Sequence, residues 1–288
     1  MPSKSLDSET YKGIAEFVHS LTGLVLGPEK VALVTNRLQS RVDELGLPDY
    51  ASYFQHVERD TSGKEVSNMV NALTTNTTSF FREPDQFVFM RDVMERWVEE
   101  GQRKFRIWSA ASSTGEEPYS IAMVLNDVLD KTICSSAGHV NASDKEEEKW
   151  DIKILCTDID SIALGISREG WYASRKLQDI RLPMPMRFFS QVRRAHGGSE
   201  MRIASSLQEY CVFARLNLMN TPYKMKGPFD LIFCRNVMIY FDNELRRRIL
   251  GEMHRLLRDD GYLFVGSAEA LVGILSGFRL VQSSIYEK

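Results

Sequence analysis

The stretch Phe105–Met123, FRIWSAASSTGEEPYSIAM, constrains the architecture of this chain most. Phe105–Trp108 is a short apolar run of β type, small residues continue through Ser113, Gly115 supplies a turn, and Tyr119–Leu129 carries helical periodicity. That order makes a strand, a tight loop and a helix. In an open α/β sheet the first such turn lies where ligands bind, because small residues let the backbone approach a ligand and a helix N-terminus presents unpaired N–H groups.

Two carboxylates, Glu116 and Glu117, open the helix. They would set like charge against a pyrophosphate, and they favour a ligand with positive charge or with hydroxyl and amine donors. S-adenosylmethionine, with a sulfonium, an amine and a ribose and no phosphate, is such a ligand. The competing account is that both acids only complement the helix dipole. Ala110, Ala111, Ser112 and Ser113 stand where a dinucleotide-binding loop has glycines, so GxGxxG is absent and a dehydrogenase loses its main support.

At 288 residues the chain is long enough for one large domain or two smaller ones. A net charge of −3 gives no general attraction to nucleic acid or to an anionic membrane. No signal-peptide pattern opens the sequence and no apolar run is long enough to span a bilayer. Cys134, Cys156, Cys211 and Cys234 are scattered without a CxxC, which suggests reduced thiols in the cytoplasm, and the 5 histidines form no ligand-spaced cluster, so no metal is expected.

From Tyr11 to Leu73 the sequence reads as amphipathic helices with polar connections. Tyr11, Ile14, Phe17, Val18 and Leu21 share one face, Val31–Leu45 starts a second helix, Asp49 could cap a third through Val57, and Glu65–Leu73 is a fourth. Arg37 and Arg41, four apart on one face, suggest an anchor for an acidic partner; the alternative is a solvated face paired with Asp43 and Glu44. The next segment, LTTNTTSFFREP at Leu73–Pro84, is too rich in Thr and Asn for a helix and suits a connector. Phe80 and Phe81 would pin it, leaving Asn76, Thr78 and Arg82 to face a cleft.

After a helix over Gln86–Gly101 and the central unit, Ser135–Glu148 is small, polar and charged and reads as an exposed loop. Lys153–Asp158 is a second parallel strand, and an acid at that strand end accepts hydrogen bonds from ribose hydroxyls. Asp160 is the rival for that role, and either acid could instead cap the helix over Ile162–Glu169. Arg187–Arg215 breaks the alternation and reads as a small antiparallel flap, with Asn217 reaching the strand-end cleft. Asp230–Cys234 is a buried strand of parallel type running into Arg235–Phe241, then come a charged helix over Asn243–Leu257, a strand at Tyr262–Val265 and a terminal strand pair, the last antiparallel.

Three blocks, TTNTTSFFREP at Thr74–Pro84, SAASSTGEEPYSIAM at Ser109–Met123 and FDLIFCRNVMIYF at Phe229–Phe241, resemble the CheR family of chemotaxis receptor methyltransferases. The resemblance covers nearly the whole chain. It implies an α/β, Rossmann-like S-adenosylmethionine-dependent methyltransferase domain over 86–288, with the flap inserted at about 187–215. A small all-α domain over 1–73 precedes it, with a linker over 74–85 that contributes to the cofactor cleft. The implied activity is methyl esterification of glutamate side chains on the cytoplasmic helical bundle of chemoreceptors, by a cytoplasmic monomer, with S-adenosylhomocysteine as product.

The implied cofactor-binding positions are Asn76, Thr78, Arg82, Glu117, Asp158, Asn217–Leu218 and Asn236–Val237, with Arg82 and Tyr240 nearest the transferred methyl. The flap would dock a receptor's C-terminal tail peptide, although Gly197-Gly198 matches that docking pattern only in part. A methyltransferase acting on nucleic-acid amino groups typically has Asn/Asp-Pro-Pro-Tyr/Phe after the fourth strand; this chain has Arg235-Asn236-Val237-Met238 and no Pro-Pro.

Overall fold

The computed structural model describes residues 5–136, 150–178, 180, 186–195, 198–269, 271 and 277–288. Four helices open the chain: α1 (Ser8–Thr22), α2 (Val31–Glu44), α3 (Tyr50–Glu58) and α4 (Lys64–Leu73). Their boundaries follow from local chemistry. The Asp7 side chain accepts the Thr10 N–H at the start of α1, and Asp49 accepts the Ser52 N–H at 2.8 Å at the start of α3, as its sequence position suggests. The apolar stripe of each helix is buried against the others, Ile14 and Val18 meeting Val34, Leu38, Tyr53, Val57 and Met69 in a core of their own. Each such side chain contributes about 1.5–3 kcal/mol when fully buried.

The connector from Thr74 to Glu83 is irregular and is held by its two aromatics. Phe80 meets the edge of Tyr172 at 5.0 Å and Phe81 that of Phe87 at 5.3 Å. The second domain begins at Pro84, two residues inside the expected linker, with α5 (Pro84–Glu99), β1 (Lys104–Ser109), α6 (Glu116–Ser136), β2 (Asp151–Asp158) and α7 (Ser161–Glu169). Next come β3 (Trp171–Ala173), the one-turn helix α8 (Arg175–Gln178), β4 (Phe189–Ala195), β5 (Gly198–Ile203), the one-turn α9 (Ser205–Gln208) and β6 (Cys211–Arg215). The chain closes with β7 (Phe229–Cys234), α10 (Asn243–Leu256), β8 (Leu257–Val265), β9 (Arg279–Gln282) and β10 (Ile285–Glu287).

Seven strands form one sheet in the order β6-β2-β1-β7-β8-β10-β9. The first five are parallel, and β10 runs antiparallel to both of its neighbours, β8 and β9. Strand order reverses between β1 and β7, so the crevice of this sheet opens at their C-terminal ends. All six residues of β7 are buried, and Phe233 stacks on Phe264 of β8 at 4.2 Å, which fixes the floor beneath that crevice.

The expected flap is present as the antiparallel hairpin β4–β5 inside 187–215, but its bounds differ at both ends. Cys211–Arg215 lies along β2 in parallel register, Leu155 opposite Val212, and forms an edge of the main sheet. The antiparallel unit is instead β3-β5-β4, spanning Trp171 to Ile203. The cause is that β2 offers a free ladder edge, where Phe213 packs on the main core, whereas Trp171–Ala173 is too short to show a period in sequence. The flap positions 196–197 and residues 137–148 of the expected polar loop lie outside the described residues. Among the described residues no helix is long and apolar enough to cross a membrane, and no group of three or more His, Cys, Asp or Glu could hold a metal. Cys156 and Cys234 are free and buried, and burial pushes both thiols well up.

Candidate functional site

A cleft of about 330 Å³ lies where the α1–α2 connection, the linker and the C-terminal ends of β1, β2, β6 and β7 meet. The structure brings Asn76, Thr78, Arg82, Glu117, Asp158, Asn217, Leu218, Asn236, Val237 and Tyr240 into its lining, although they come from five separate parts of the chain. The volume is at the small end of the range that takes a drug-sized ligand.

The turn after β1 is shaped by one glycine. Gly115 sits at φ +99°, and a Cβ there would fall 2.3 Å from Ser167 Oγ and 2.5 Å from Tyr172 Oη, so no other residue fits without displacing them. The two acids that follow it divide their roles. Glu116 is fully buried, accepts the Thr114 hydroxyl at 2.6 Å and pairs with Lys176 of α8, so it fastens the turn to the root of the flap. Glu117 faces the cleft, accepting the Ser109 hydroxyl at 2.7 Å and Arg235 Nη1 at 3.1 Å, and burial pushes its carboxyl above the usual range.

The acids at the end of β2 divide in the same way. Asp160 caps α7 by accepting the Ile162 and Ala163 N–H groups, while its other oxygen takes the Asn76 amide at 2.6 Å and the Thr74 hydroxyl at 3.1 Å. Asp158 accepts the Ser113 and Asp160 N–H groups at 2.8 and 2.9 Å and lines the cleft. Burial holds its carboxyl above the usual range in spite of those donors. Capping of α7 thus falls to Asp160, and Asp158 is the one of the two acids that lines the cleft.

On the linker side, Arg82 donates to the Thr77 carbonyl at 3.1 Å, and its own backbone carbonyl accepts from Arg235 Nη2. The backbone here is strained: Phe81, Glu83, Ser113 and Asn236 all have φ between +47° and +59°. Such conformations cost roughly 1–3 kcal/mol each and concentrate where surrounding structure over-determines them. Asn217 spends its amide on Leu21 of α1 at 2.7 Å and on the Met219 N–H, so its side chain is a tie between domains. Tyr240 makes a second tie, its carbonyl accepting the Val25 N–H at 2.9 Å.

Arg37 and Arg41 do not form the expected partner-facing pair. Arg37 donates to the carbonyls of Leu73 and Thr74 at 2.7 Å each and to the Thr75 hydroxyl, closing α4 and holding the start of the linker. Arg41 grips the buried Glu65 through two bonds, at 3.0 and 2.6 Å, and also pairs with Glu44. Glu65 was invisible as a partner because it lies 24 residues away on α4.

Two residues of the site escaped the sequence reading. Arg235, with its side chain 2% exposed, joins Glu83 and Glu117. A charge directly after the apolar run Leu231–Cys234 was the available signal. Glu269 is buried and accepts N–H groups from Asn236 at 2.8 Å, Met238 at 2.7 Å, Ile239 at 3.4 Å and Gly266 at 2.6 Å, which sets the course of the turn after β7. Nothing in its sequence context marks it.

The lining suits S-adenosylmethionine. Asp158 and Glu117 are carboxylates that burial leaves short of compensation, matched to hydroxyl, amine or cationic donors, and Leu218, Val237 and Ala110 supply apolar walls for a flat base. Residues 9–74 match the family described as CheR methyltransferase, all-alpha domain, and residues 76–286 match CheR methyltransferase, SAM binding domain. The chain is 36% identical over 278 residues to chemotaxis protein methyltransferase 2 of Pseudomonas aeruginosa, covering 96% of this chain and 92% of that one. It is 36% identical over 282 residues to the chemotaxis protein methyltransferase of Escherichia coli, covering 98% and 91%. With both domains matched and the cleft between them carrying the cofactor lining, the chain belongs to the CheR methyltransferase family.

Proposed function

We propose that this chain esterifies glutamate side chains on the cytoplasmic helical bundle of chemoreceptors, drawing the methyl group from S-adenosylmethionine. The observation that carries the reading is the cleft that both domains build, with Arg82 and Tyr240 in one lining beside two buried carboxylates. The relatives' names as chemotaxis methyltransferases support the substrate class.

A glutamate carboxylate is ionised at neutral pH, so the attack needs no strong general base. When bound, the cofactor supplies an electrophilic methyl on a sulfonium. Asp158 receives ribose hydroxyls, Glu117 and the Asn236–Val237 turn flank the rest of the cofactor, and Leu218 with Asn217 closes the far wall. Asn76 and Thr78 line the cleft from the linker. Arg82 steers the incoming carboxylate, and Tyr240, held from the helical domain through Val25, orients it in line with the methyl. The low polarity of Leu24, Val25 and Phe241 around them keeps water from the attacking oxygen.

The protein acts in the cytoplasm as a monomer. The β3-β5-β4 sheet is the element that would take a receptor tail peptide. The test is incubation with radiolabelled S-adenosylmethionine and receptor-bearing membranes, followed by mild alkali. Label on the receptor that is released as methanol supports the ester; label that survives alkali, or none on the receptor, refutes it.

A further inference from the structure

We propose that Arg235 is a positioning residue for methyl transfer, whose guanidinium fork fixes the linker strand at Arg82 to the cofactor helix at Glu117 and keeps Glu117 available as a carboxylate. The inference rests on Glu117 and Arg82 being cofactor-side groups, as read above. Its basis is a connection that no single element could make. Nη1 reaches Glu117 of α6 at 3.1 Å, Nη2 reaches Glu83 at 3.1 Å, and Nη2 also donates to the Arg82 carbonyl. Glu83 in turn accepts the Ser267 N–H and hydroxyl at 3.0 Å, so the turn after β8 is drawn into the same network.

The fork is specific to arginine. Two carboxylates and a carbonyl are met by one planar group, a geometry that a lysine ammonium cannot span. The Phe87 ring lies 5.6 Å from the guanidinium carbon. Nε is buried with no hydrogen-bond partner among the described residues, and the residue lines the cleft, so the guanidinium is both anchor and wall.

The charge balance around Glu117 gives the proposal a signature that a mere staple would lack. Facing it are Arg235, the carboxylate of Glu83 and the Ser109 hydroxyl, with Asp158 in the same cleft lining and the neutral thiols of Cys156 and Cys234 beneath. Arg235 favours ionised Glu117; Glu83 opposes it. A ligand that bonds the ionised form therefore loses affinity at a pH that Arg235 lowers and Glu83 raises.

The experiment is calorimetric titration of S-adenosylhomocysteine against pH 5 to 8 for the wild type, Arg235→Gln, Arg235→Lys, Glu83→Gln and Glu117→Gln, with thermal unfolding and methyl-transfer kinetics alongside. In Arg235→Gln, which removes the cation, the pH of half-lost affinity should rise by about one unit, the displacement a nearby opposite charge typically causes, while Arg235→Lys keeps the charge and loses only the fork. In Glu83→Gln it should fall. Arg235→Lys should also lower kcat at saturating cofactor, because the Arg82 segment is no longer fixed. A lowered melting temperature with an unmoved pH profile in Arg235→Gln and in Glu83→Gln would overturn the proposal and leave Arg235 a structural staple. Wild-type affinity in Glu117→Gln would overturn the cofactor reading of Glu117 itself, and the proposal with it.

Discussion

Replacing Glu269 with Gln should damage the cofactor cleft more than any change of comparable size in its lining. The carboxylate takes four backbone N–H groups: Oε2 receives Asn236 at 2.8 Å and Gly266 at 2.6 Å, and Oε1 receives Met238 at 2.7 Å and Ile239 at a long 3.4 Å. An amide presents one oxygen and one NH2, so whichever way it is placed two donors face a donor. Each hydrogen bond to a charged group is worth about 1.5–3 kcal/mol, so losing a pair costs about 3–6 kcal/mol before relaxation. A domain with a total stability of about 5–15 kcal/mol would survive in weakened form, with the turn after β7 displaced. Urea unfolding monitored by tryptophan fluorescence, paired with titration of S-adenosylhomocysteine, checks both consequences. The affinity should fall with the stability, since Asn236 and Val237 line the cleft on that turn. A Gln variant within 1 kcal/mol of wild type, binding normally, would refute the claim that these four bonds set the turn.

Asp158→Ala should weaken S-adenosylhomocysteine by about 1–3 kcal/mol through unpaired ribose hydroxyls and also lower the melting temperature, since the Ser113 and Asp160 N–H groups lose their acceptor, whereas Asp160→Ala, which removes the α7 cap and the Asn76 tie, should cost about 0.5–2 kcal/mol of stability with the smaller loss of affinity; calorimetry on the two variants would give the reverse order of affinities if the roles were exchanged. Arg41→Ala leaves Glu65 buried with Tyr53 and Asn68 as its remaining partners and should destabilise the helical domain by about 2–4 kcal/mol in a denaturant titration, a change under 0.5 kcal/mol meaning that the pair is ornamental. Tyr240→Phe should lower kcat and kcat/KM together with cofactor affinity intact; a normal rate at saturating substrate would make the ring a wall and nothing more. Binding of S-adenosylhomocysteine should release protons on the acid side of neutrality: Asp158 and Glu117 hold their protons to higher pH than ordinary carboxyls, donors on the ligand favour the ionised forms, and affinity must then fall as pH drops through those raised values. Calorimetry in buffers of different ionisation enthalpy reads the proton count, and proton uptake would contradict the sign.

The sequence was informative where local chemistry decides. Asp49 as a cap, the strand and turn at Phe105–Gly115 and the apolar run Leu231–Cys234 of β7 each depend on residues within a few positions of one another, so spacing and side-chain type were enough. What it did not reveal depends on encounters made only by the fold. Cys211–Arg215 has the pattern of a hairpin arm and becomes a parallel edge strand because β2 has an open ladder beside it. Arg37 and Arg41 share a helical face as their spacing requires, yet that face is turned toward the linker carbonyls and Glu65, which only tertiary placement decides. Glu269 meets Asn236 across 33 residues, and Arg235 meets Glu117 across 118.

These long-range encounters also explain why the functional boundary differs from the domain boundary. The helical domain has a core of its own, but it supplies Leu24, Val25 and Leu33 to the cleft lining. Among the contacts that tie it to the second domain are four hydrogen bonds: Val25 N–H to the Tyr240 carbonyl, Asn217 to the Leu21 carbonyl, Thr74 to Asp160 and Asn71 to Ser161. At about 0.5–1.5 kcal/mol each, these four contribute about 2–6 kcal/mol to aligning two folded bodies, beside the packing of Leu24 on the second domain's core. Three of the four end on residues beside the cofactor acids or on Tyr240 and Asn217 themselves. A force that shifts the helical domain is therefore delivered to Tyr240 and Asn217 in the cleft lining, and in the proposed reaction the alignment for transfer depends on both domains together.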